Sequence, residues 1–360
     1  MKPRIPVIVL LALAGFLVGF VFFRGPTPHI AIKPETLFHV GGIAVTNTML
    51  TSWLVVATLI IIVFLSTRRW ELVPTGVQNV VEAVVEAFYN LVINVAGEKH
   101  GRRFFPVVAT IFFFVLASNW LSLLPIFNTI GGVHEQEHGF VMEKATSGSL
   151  DVAYVPLSGF GGLSGETIDE DDPEADRKHE EAKAEGKSVG ELMPFLRGPN
   201  TDLNTPLALA IASAIAVETW GVSSLGLFTY GRKFFNFGTL FRGLFRLNFG
   251  LVFQGVIDAF VGILELISEL VRLVSFTFRL FGNMFAGEVV ILMFTFLTPF
   301  IVTIVFYGLE LFVGVIQAFI FSMLTLVFGM MAVSHGDHGD GHAAAGEHGA
   351  AAAAPAQETA

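Results

Sequence analysis

Apolar and polar residues in this chain separate into long blocks, and the block lengths set the elements. A hydrophobic run at 5–23, "IPVIVLLALAGFLVGFVFF", follows Lys2 and Arg4. Residues 1–47 are read as an N-terminal anchor or signal segment plus an external linker. The sequence "FFRGP" after the run lacks a small-x-small cleavage pattern and favours the anchor. Residues 49–66, "MLTSWLVVATLIIIVFLS", have a membrane-spanning length and stop at Arg68 and Arg69. Residues 74–98 differ in kind. Val77, Val80, Val81, Val84, Val85, Phe88, Leu91, Val92 and Val95 fall on one helical stripe, with Gln78, Glu82, Glu86, Asn90 and Asn94 on the other face. That spacing predicts an amphipathic helix lying on the membrane surface, opened by Pro74. Apolar runs at 104–125 and 205–231 predict two upright crossings. Residues 250–334 predict two long helices divided near Thr298 and Pro299.

Between the two crossings lies a polar segment, 128–203, holding the acidic run "SGETIDEDDPEADRKHEEAKAEGK". The composition predicts that the middle of this segment is solvated and disordered or loosely helical. Residues 335–360 form a His/Ala-rich low-complexity tail. The pattern predicts an all-α polytopic membrane protein whose membrane domain runs over 48–334: an interfacial amphipathic helix, two upright crossings and a long tilted hairpin. Composition agrees, since 53% hydrophobic and 14% charged residues do not describe a soluble domain. With no cysteine, disulfides and thiolate metal sites are excluded. The net charge of −10 comes largely from the insertion, and no basic patch predicts a nucleic-acid partner. The short loops 67–103 and 231–250 are rich in Arg and Lys, which places both in the cytoplasm. The insertion is then outside and the tail inside, in a cell membrane.

One residue breaks the apolar pattern. Arg279 sits in "SFTFRLFGNMFAGEVV", and guanidinium cannot escape burial by losing its charge. At a bilayer centre that costs about 2.5 kcal/mol or much more. At 100° per residue, Glu265, Ser268, Arg272, Ser275, Arg279, Gly282, Asn283 and Ala286 lie within about 60° of one line. This small, polar face lets another backbone come close. No acid lies within helical reach of Arg279, so its counter-charge is expected from another helix or another chain. Glu288 lies about 180° around from Arg279 and faces the neighbouring helix, where Tyr307, Glu310, Gly314 and Gln317 form a second stripe. Glu288, Glu310, Asn283 and Gln317 are expected to line a polar path partway through the membrane.

Other signals weigh less. "HEQEH" at 134–138 matches a zinc-protease pattern, but Gly131 and Gly132 precede it and no third ligand motif follows, so a solvated loop is expected. The tail histidines His335, His338, His342 and His348 read as low-complexity filler, and "DEDDPEAD" lacks the spacing of a calcium loop. No metal site or cofactor is expected. Glu218 and Trp220 fit helix packing, Asp202 and Asn204 fit a helix cap, and Arg272 or Glu269 fit snorkelling near a helix end. A secondary transporter with an internal Arg–Glu pair predicts paired repeats, which the chain does not display convincingly. No phosphate-cradling Gly-rich loop with lysine occurs, so no nucleotide chemistry is expected of this chain itself.

"FRLFGNMFAGE" at 278–288 closely resembles the signature of subunit a of the F-type ATP synthase, the stator subunit beside the rotating c-ring. "NWLSLLP" (119–125), "PNTDLNTPLALA" (199–210) and "GVIQAFIFSMLTLVF" (314–328) resemble other segments of that family, so the likeness covers roughly 45–334. The resemblance implies a proton-translocating subunit with two half-channels and no catalytic site of its own. Its implied partners are the c-subunit ring, b-type peripheral stalk subunits, the rest of the synthase and the lipid bilayer. Arg279 falls on the family's essential arginine, which attracts each passing c-subunit carboxylate and blocks a proton short circuit. Asn283, Glu288 and Gln317 fall on polar positions of the external half-channel, and Glu265 matches a carboxylate near the cytoplasmic exit. At Glu310 members carry histidine or an acid. With acids at both Glu288 and Glu310, either can be the relay.

Overall fold

The computed structural model describes residues 30, 32–68, 73–124, 126–128, 130–147, 150–154, 167–168, 174–234, 238–246, 249–297 and 301–334. The hydrophobic run at 5–23 and the tail at 335–360 lie outside them. The helices are α1 (Asn47–Thr67), α2 (Gly76–Ser122), α3 (Ala175–Ala184), α4 (Asn204–Leu225), α5 (Leu227–Phe234), α6 (Gly238–Phe245), α7 (Phe249–Leu297) and α8 (Ile301–Ser334). The strands are β1 (Thr36–Val40), β2 (Ile43–Thr46), β3 (Gly131–Ser147), β4 (Leu150–Tyr154), β5 (Thr167–Ile168) and β6 (Ser188–Pro194). Among the described residues five helices, α1, α2, α4, α7 and α8, are long and apolar enough to cross a membrane. The protein is an all-α polytopic membrane protein, and its described strands are confined to one hairpin and the insertion. At 1.5 Å per residue, the 49 residues of α7 extend about 74 Å, more than twice a hydrocarbon core. Tilt, or extension beyond the lipid, follows from that length.

The chain forms two compact units. The first contains Met1–Gln78, Phe112–Pro206 and Phe278–Phe319. Here β1 and β2 pair as an antiparallel hairpin that feeds α1, whose cap is Thr46, its hydroxyl accepting from the Met49 N–H at 3.3 Å. Ile60, Ile61, Val63, Phe64 and Leu65 of α1 are exposed, as an all-round apolar helix must be where lipid is its solvent. At the other end of α1, Asn47, Thr48 and Thr51 are buried and polar. The Thr48 hydroxyl donates to Asp202 Oδ2 at 3.0 Å, while Asp202 Oδ1 accepts from the Asn204 N–H at 3.1 Å. Asp202 thus caps α4, as its position suggested, and also ties that cap to α1.

The sheet in the insertion is what its composition did not predict. Residues 175–184 are helical, but the chain around them folds into an antiparallel sheet in which β3 pairs with β4, β5 and β6. A few apolar residues at matching register suffice: Val141, Ile168 and Val189 bury together with Ala175 and Ala182 of α3, and Met142 packs on Val133 and Leu192. Glu174, Asp176, Glu180, Glu181 and Glu185 are exposed, and Arg177 pairs with Glu174 and Glu181. "HEQEH" lies in β3 rather than in a loop. Pairing with β6 runs through His134 and Glu135 and resumes only at Phe140, so the segment spans an irregularity of the strand.

The second unit contains Asn79–Ile111, Leu207–Thr277 and the chain from Ile320. Gly97 interrupts α2 at φ 71°, ψ 164°, a left-handed backbone that glycine adopts without steric cost. The break separates the amphipathic stretch 76–96 from the apolar stretch 98–122, the division the pattern predicted. Phe104 stacks on Trp220 at 4.1 Å, and Gly329 leaves the notch that admits the indole. Ser213 and Thr325 share a buried hydrogen bond of 2.8 Å, and Phe276 packs against Phe321 and Phe328. Arg272 pairs with Glu269 at 2.9 Å and lies over the Phe328 ring at 3.8 Å, so it is held by partners rather than simply snorkelling.

Candidate functional site

In the first unit, residues 278–297 of α7 carry two faces. Leu280, Met284 and Ile291 are buried, while Arg279, Asn283 and Ala286 are exposed. Among the described residues no acidic side chain pairs with Arg279. A permanently charged residue therefore stands on a small-residue face with room for a partner backbone.

The buried side leads to a cavity of about 120 Å³. Its polar lining includes Glu288 and Thr295 of α7, Tyr307 and Glu310 of α8, and Asn119 and Ser122 of α2. Asn128, Asn200 and Thr201, at the root of the insertion, complete the polar part, with Met284, Ile291, Leu292 and Phe127 among the apolar walls. Several water molecules fit such a volume. The Asn200 side chain is 2% exposed, and its Oδ1 receives no hydrogen bond from the described residues. A water in the cavity is the group able to supply one.

The two acids that share this cavity have different surroundings. Glu288 is held from two sides: Arg197 donates from Nη2 to Oε2 at 3.1 Å and from Nε to Oε1 at 3.3 Å. Asn128 Nδ2 donates to Oε1 at 2.8 Å. The side chains of Arg197 and Glu288 are only 6% and 9% exposed, so this is a buried, forked ion pair. Glu310, by contrast, makes no hydrogen bond or ion pair among the described residues. Its carboxyl lies against Gly287, in the space a Cβ on that residue would occupy. Glycine at 287 is what lets α7 and α8 approach with a carboxyl between them.

Neighbouring contacts fix the frame. Asn119 Nδ2 donates to the Gly314 carbonyl at 3.1 Å and accepts on Oδ1 from Asn200 Nδ2 at 2.7 Å. Trp120 Nε1 donates to the Leu311 carbonyl at 3.2 Å. These bonds pin the end of α2 to α8 beside Glu310.

Of the residues picked from sequence, Glu288 and Glu310 meet in the cavity. Asn283 is exposed and Gln317 is buried in α8; neither is among the lining residues. Glu265 is half-buried in the second unit. Sequence reasoning missed Arg197, Asn128 and Asn200. The available signal was a lone arginine in "FLRGPNTD", directly ahead of a helix start.

The sequence is similar to known proteins over most of its length. The family described as ATP synthase A chain matches residues 49–329. A protein of Moorella thermoacetica named ATP synthase subunit a is 28% identical over 297 residues, covering 82% of this chain and 95% of that protein. Proteins of the same name from Trichlorobacter lovleyi and Gloeobacter violaceus are 26% and 28% identical, covering 83% and 82% of this chain and 92% and 86% of theirs. With the match spanning most of its length, this chain belongs to the ATP synthase A chain family.

Proposed function

We propose that this chain is the proton-conducting stator subunit of an F-type ATP synthase, presenting Arg279 to the c-ring and feeding protons to it through the cavity between Glu288 and Glu310. It carries no nucleotide chemistry; the catalytic sites belong to other subunits of the complex, and b-type stalk subunits hold it against the rotor. It sits in the cell membrane with the insertion outside and the tail in the cytoplasm. Protons enter from outside, pass through the cavity, neutralise a c-subunit carboxylate and leave near Glu265 after almost a full turn. The permanent charge of Arg279 attracts the ionised carboxylate and repels a proton that would otherwise cross directly. Asn283 lies one turn further along the face that carries Arg279 and meets the c-ring with it. Gln317 supports the wall of α8.

The observation that carries this reading is the asymmetry of the two acids. A carboxylate held by a forked arginine and an amide has its charge fixed in place and is a poor proton carrier. A carboxyl in a wet cavity with no fixed partner can accept a proton from water and release it again. Glu310 is therefore the relay, and Glu288 is the anchor that holds Arg197. Glu310→Gln and Glu288→Gln in the assembled complex separate the roles through proton pumping in membrane vesicles. Glu310→Gln is expected to lose about a hundredfold or more, the scale of a lost acid–base group. Glu288→Gln is expected to keep roughly a tenth of the rate, since about 1.4 kcal/mol on the barrier is tenfold. The reverse ranking would contradict the assignment.

A further inference from the structure

The cation that holds Glu288 does not come from the membrane helices. Arg197 lies three residues beyond the end of β6, and Asn128 three residues before the start of β3. These two strands pair directly, with Gly131 opposite Pro194 and Gly132 opposite Met193. The ladder continues past its end: the Phe195 N–H donates to the Ile130 carbonyl at 3.0 Å, and the Asn128 N–H donates to the Leu196 carbonyl at 3.1 Å. Asn47 Nδ2, fully buried at the start of α1, donates to the Pro194 carbonyl at 3.2 Å. Arg197 Nη1 reaches the Lys33 carbonyl at 3.4 Å. The two side chains on Glu288 are thus the last outward-reaching groups at the Gly131–Pro194 end of the β3–β6 ladder.

From this arrangement we infer that the external β-sheet insertion is a positioning arm for the proton entrance: its β3–β6 ladder holds Arg197 and Asn128 on Glu288 and so keeps Glu310 as the relay. Arg197 and Asn128 are positioning residues, acting through the carboxylate of Glu288. The inference rests on the reading of Glu288 and Glu310 above. Its physical basis is register. A strand pair fixes the relative placement of its two ends, so a slip at Gly131 and Pro194 moves Arg197 and Asn128 against each other. Displacing a charged group by about 1 Å in a tuned site can change rates by orders of magnitude. With the arm loose, Glu288 loses a fixed counter-charge while remaining buried, and a second exchangeable carboxyl then competes with Glu310 for the cavity water.

Adjacent glycines provide the test. A Cβ on Gly131 would overlap the Met193 carbonyl, whereas a Cβ on Gly132 meets only side-chain atoms at 3.8 and 3.9 Å. Neither glycine lines the cavity. Gly131→Ala and Gly132→Ala are introduced into the whole synthase and proton-driven ATP synthesis is measured in vesicles, normalised to assembled complex. Gly131→Ala is expected to slow synthesis about tenfold, as Arg197→Gln does, with the double variant no slower than either, and Gly132→Ala to run at the unmodified rate. In the Glu288→Gln background Gly131→Ala should cause no further loss, because nothing remains to be held; a purely folding-related defect would persist there.

Met142→Ala serves where Gly131→Ala blocks assembly. It adds no atom and weakens the ladder by emptying the contact with Val133 and Leu192. It should slow synthesis in the same background-dependent way. Unmodified rates in either ladder variant, or equal losses in both backgrounds, would overturn the arm while leaving the site intact if Arg197→Gln is impaired. An unimpaired Arg197→Gln would overturn the reading of the site itself.

Discussion

Removing Arg197 while leaving Glu288 perturbs stability sharply at the cavity. Two N–H···O contacts of 3.1 and 3.3 Å join side chains that are 6% and 9% exposed. At about 3.2 Å and an effective dielectric near 20, their attraction is about 5 kcal/mol. Desolvation offsets much of that, so the pair as a unit contributes little net stability. Breaking it is different. Arg197→Met leaves a buried carboxylate with the single Asn128 bond, which costs about 3–5 kcal/mol. Arg197→Met with Glu288→Leu removes both charges and should recover most of that loss, giving a coupling of about 3 kcal/mol. The assay is SDS-titrated unfolding in mixed micelles, followed by tryptophan fluorescence; Trp120 reports directly, since its indole is bonded to α8 near the site. A loss below about 1 kcal/mol for Arg197→Met would refute the reasoning, as would a double variant no more stable than the single one.

Two further outcomes follow from close approaches to glycine. Gly287→Ala places a methyl where the Glu310 carboxyl lies, and should cut proton pumping about as severely as Glu310→Gln while the complex still assembles, as measured by pumping and immunoblot of the same vesicles. Gly329→Ala meets Trp220 at 2.7 Å and should destabilise the second unit by about 1–3 kcal/mol in SDS titration, with less effect from Gly231→Ala in the same unit, where a Cβ meets open space.

The membrane part of the fold was legible because a bilayer restricts the chain to helices of set length. The boundary near Thr298, the amphipathic stretch ending at Gly97, and the cap at Asp202 all follow from local pattern. The exposed face of Arg279, Asn283 and Ala286 was legible for the same reason, since helical spacing alone groups them. The insertion was not. Its sheet rests on scattered apolar residues such as Val141, Ile168 and Val189, paired across long sequence separations and hidden among acids. Arg197 escaped for a related reason: beside Gly198 and Pro199 it reads as a solvated loop cation. Only pairing of strands whose partners, Gly131 and Pro194, are 63 residues apart brings it to a buried carboxylate. Glu288 and Glu310 were found as residue types, but their different surroundings depend on contacts no periodicity encodes.

The central claim is that Arg279 couples proton flow to rotation through its permanent charge. Arg279→Ala in the assembled complex tests it most directly, with passive proton leak and proton-driven ATP synthesis measured in the same vesicles. The account predicts lost synthesis with intact assembly and an increased leak. Synthesis near the unmodified level, without added leak, would contradict it and leave Arg279 as a structural cation.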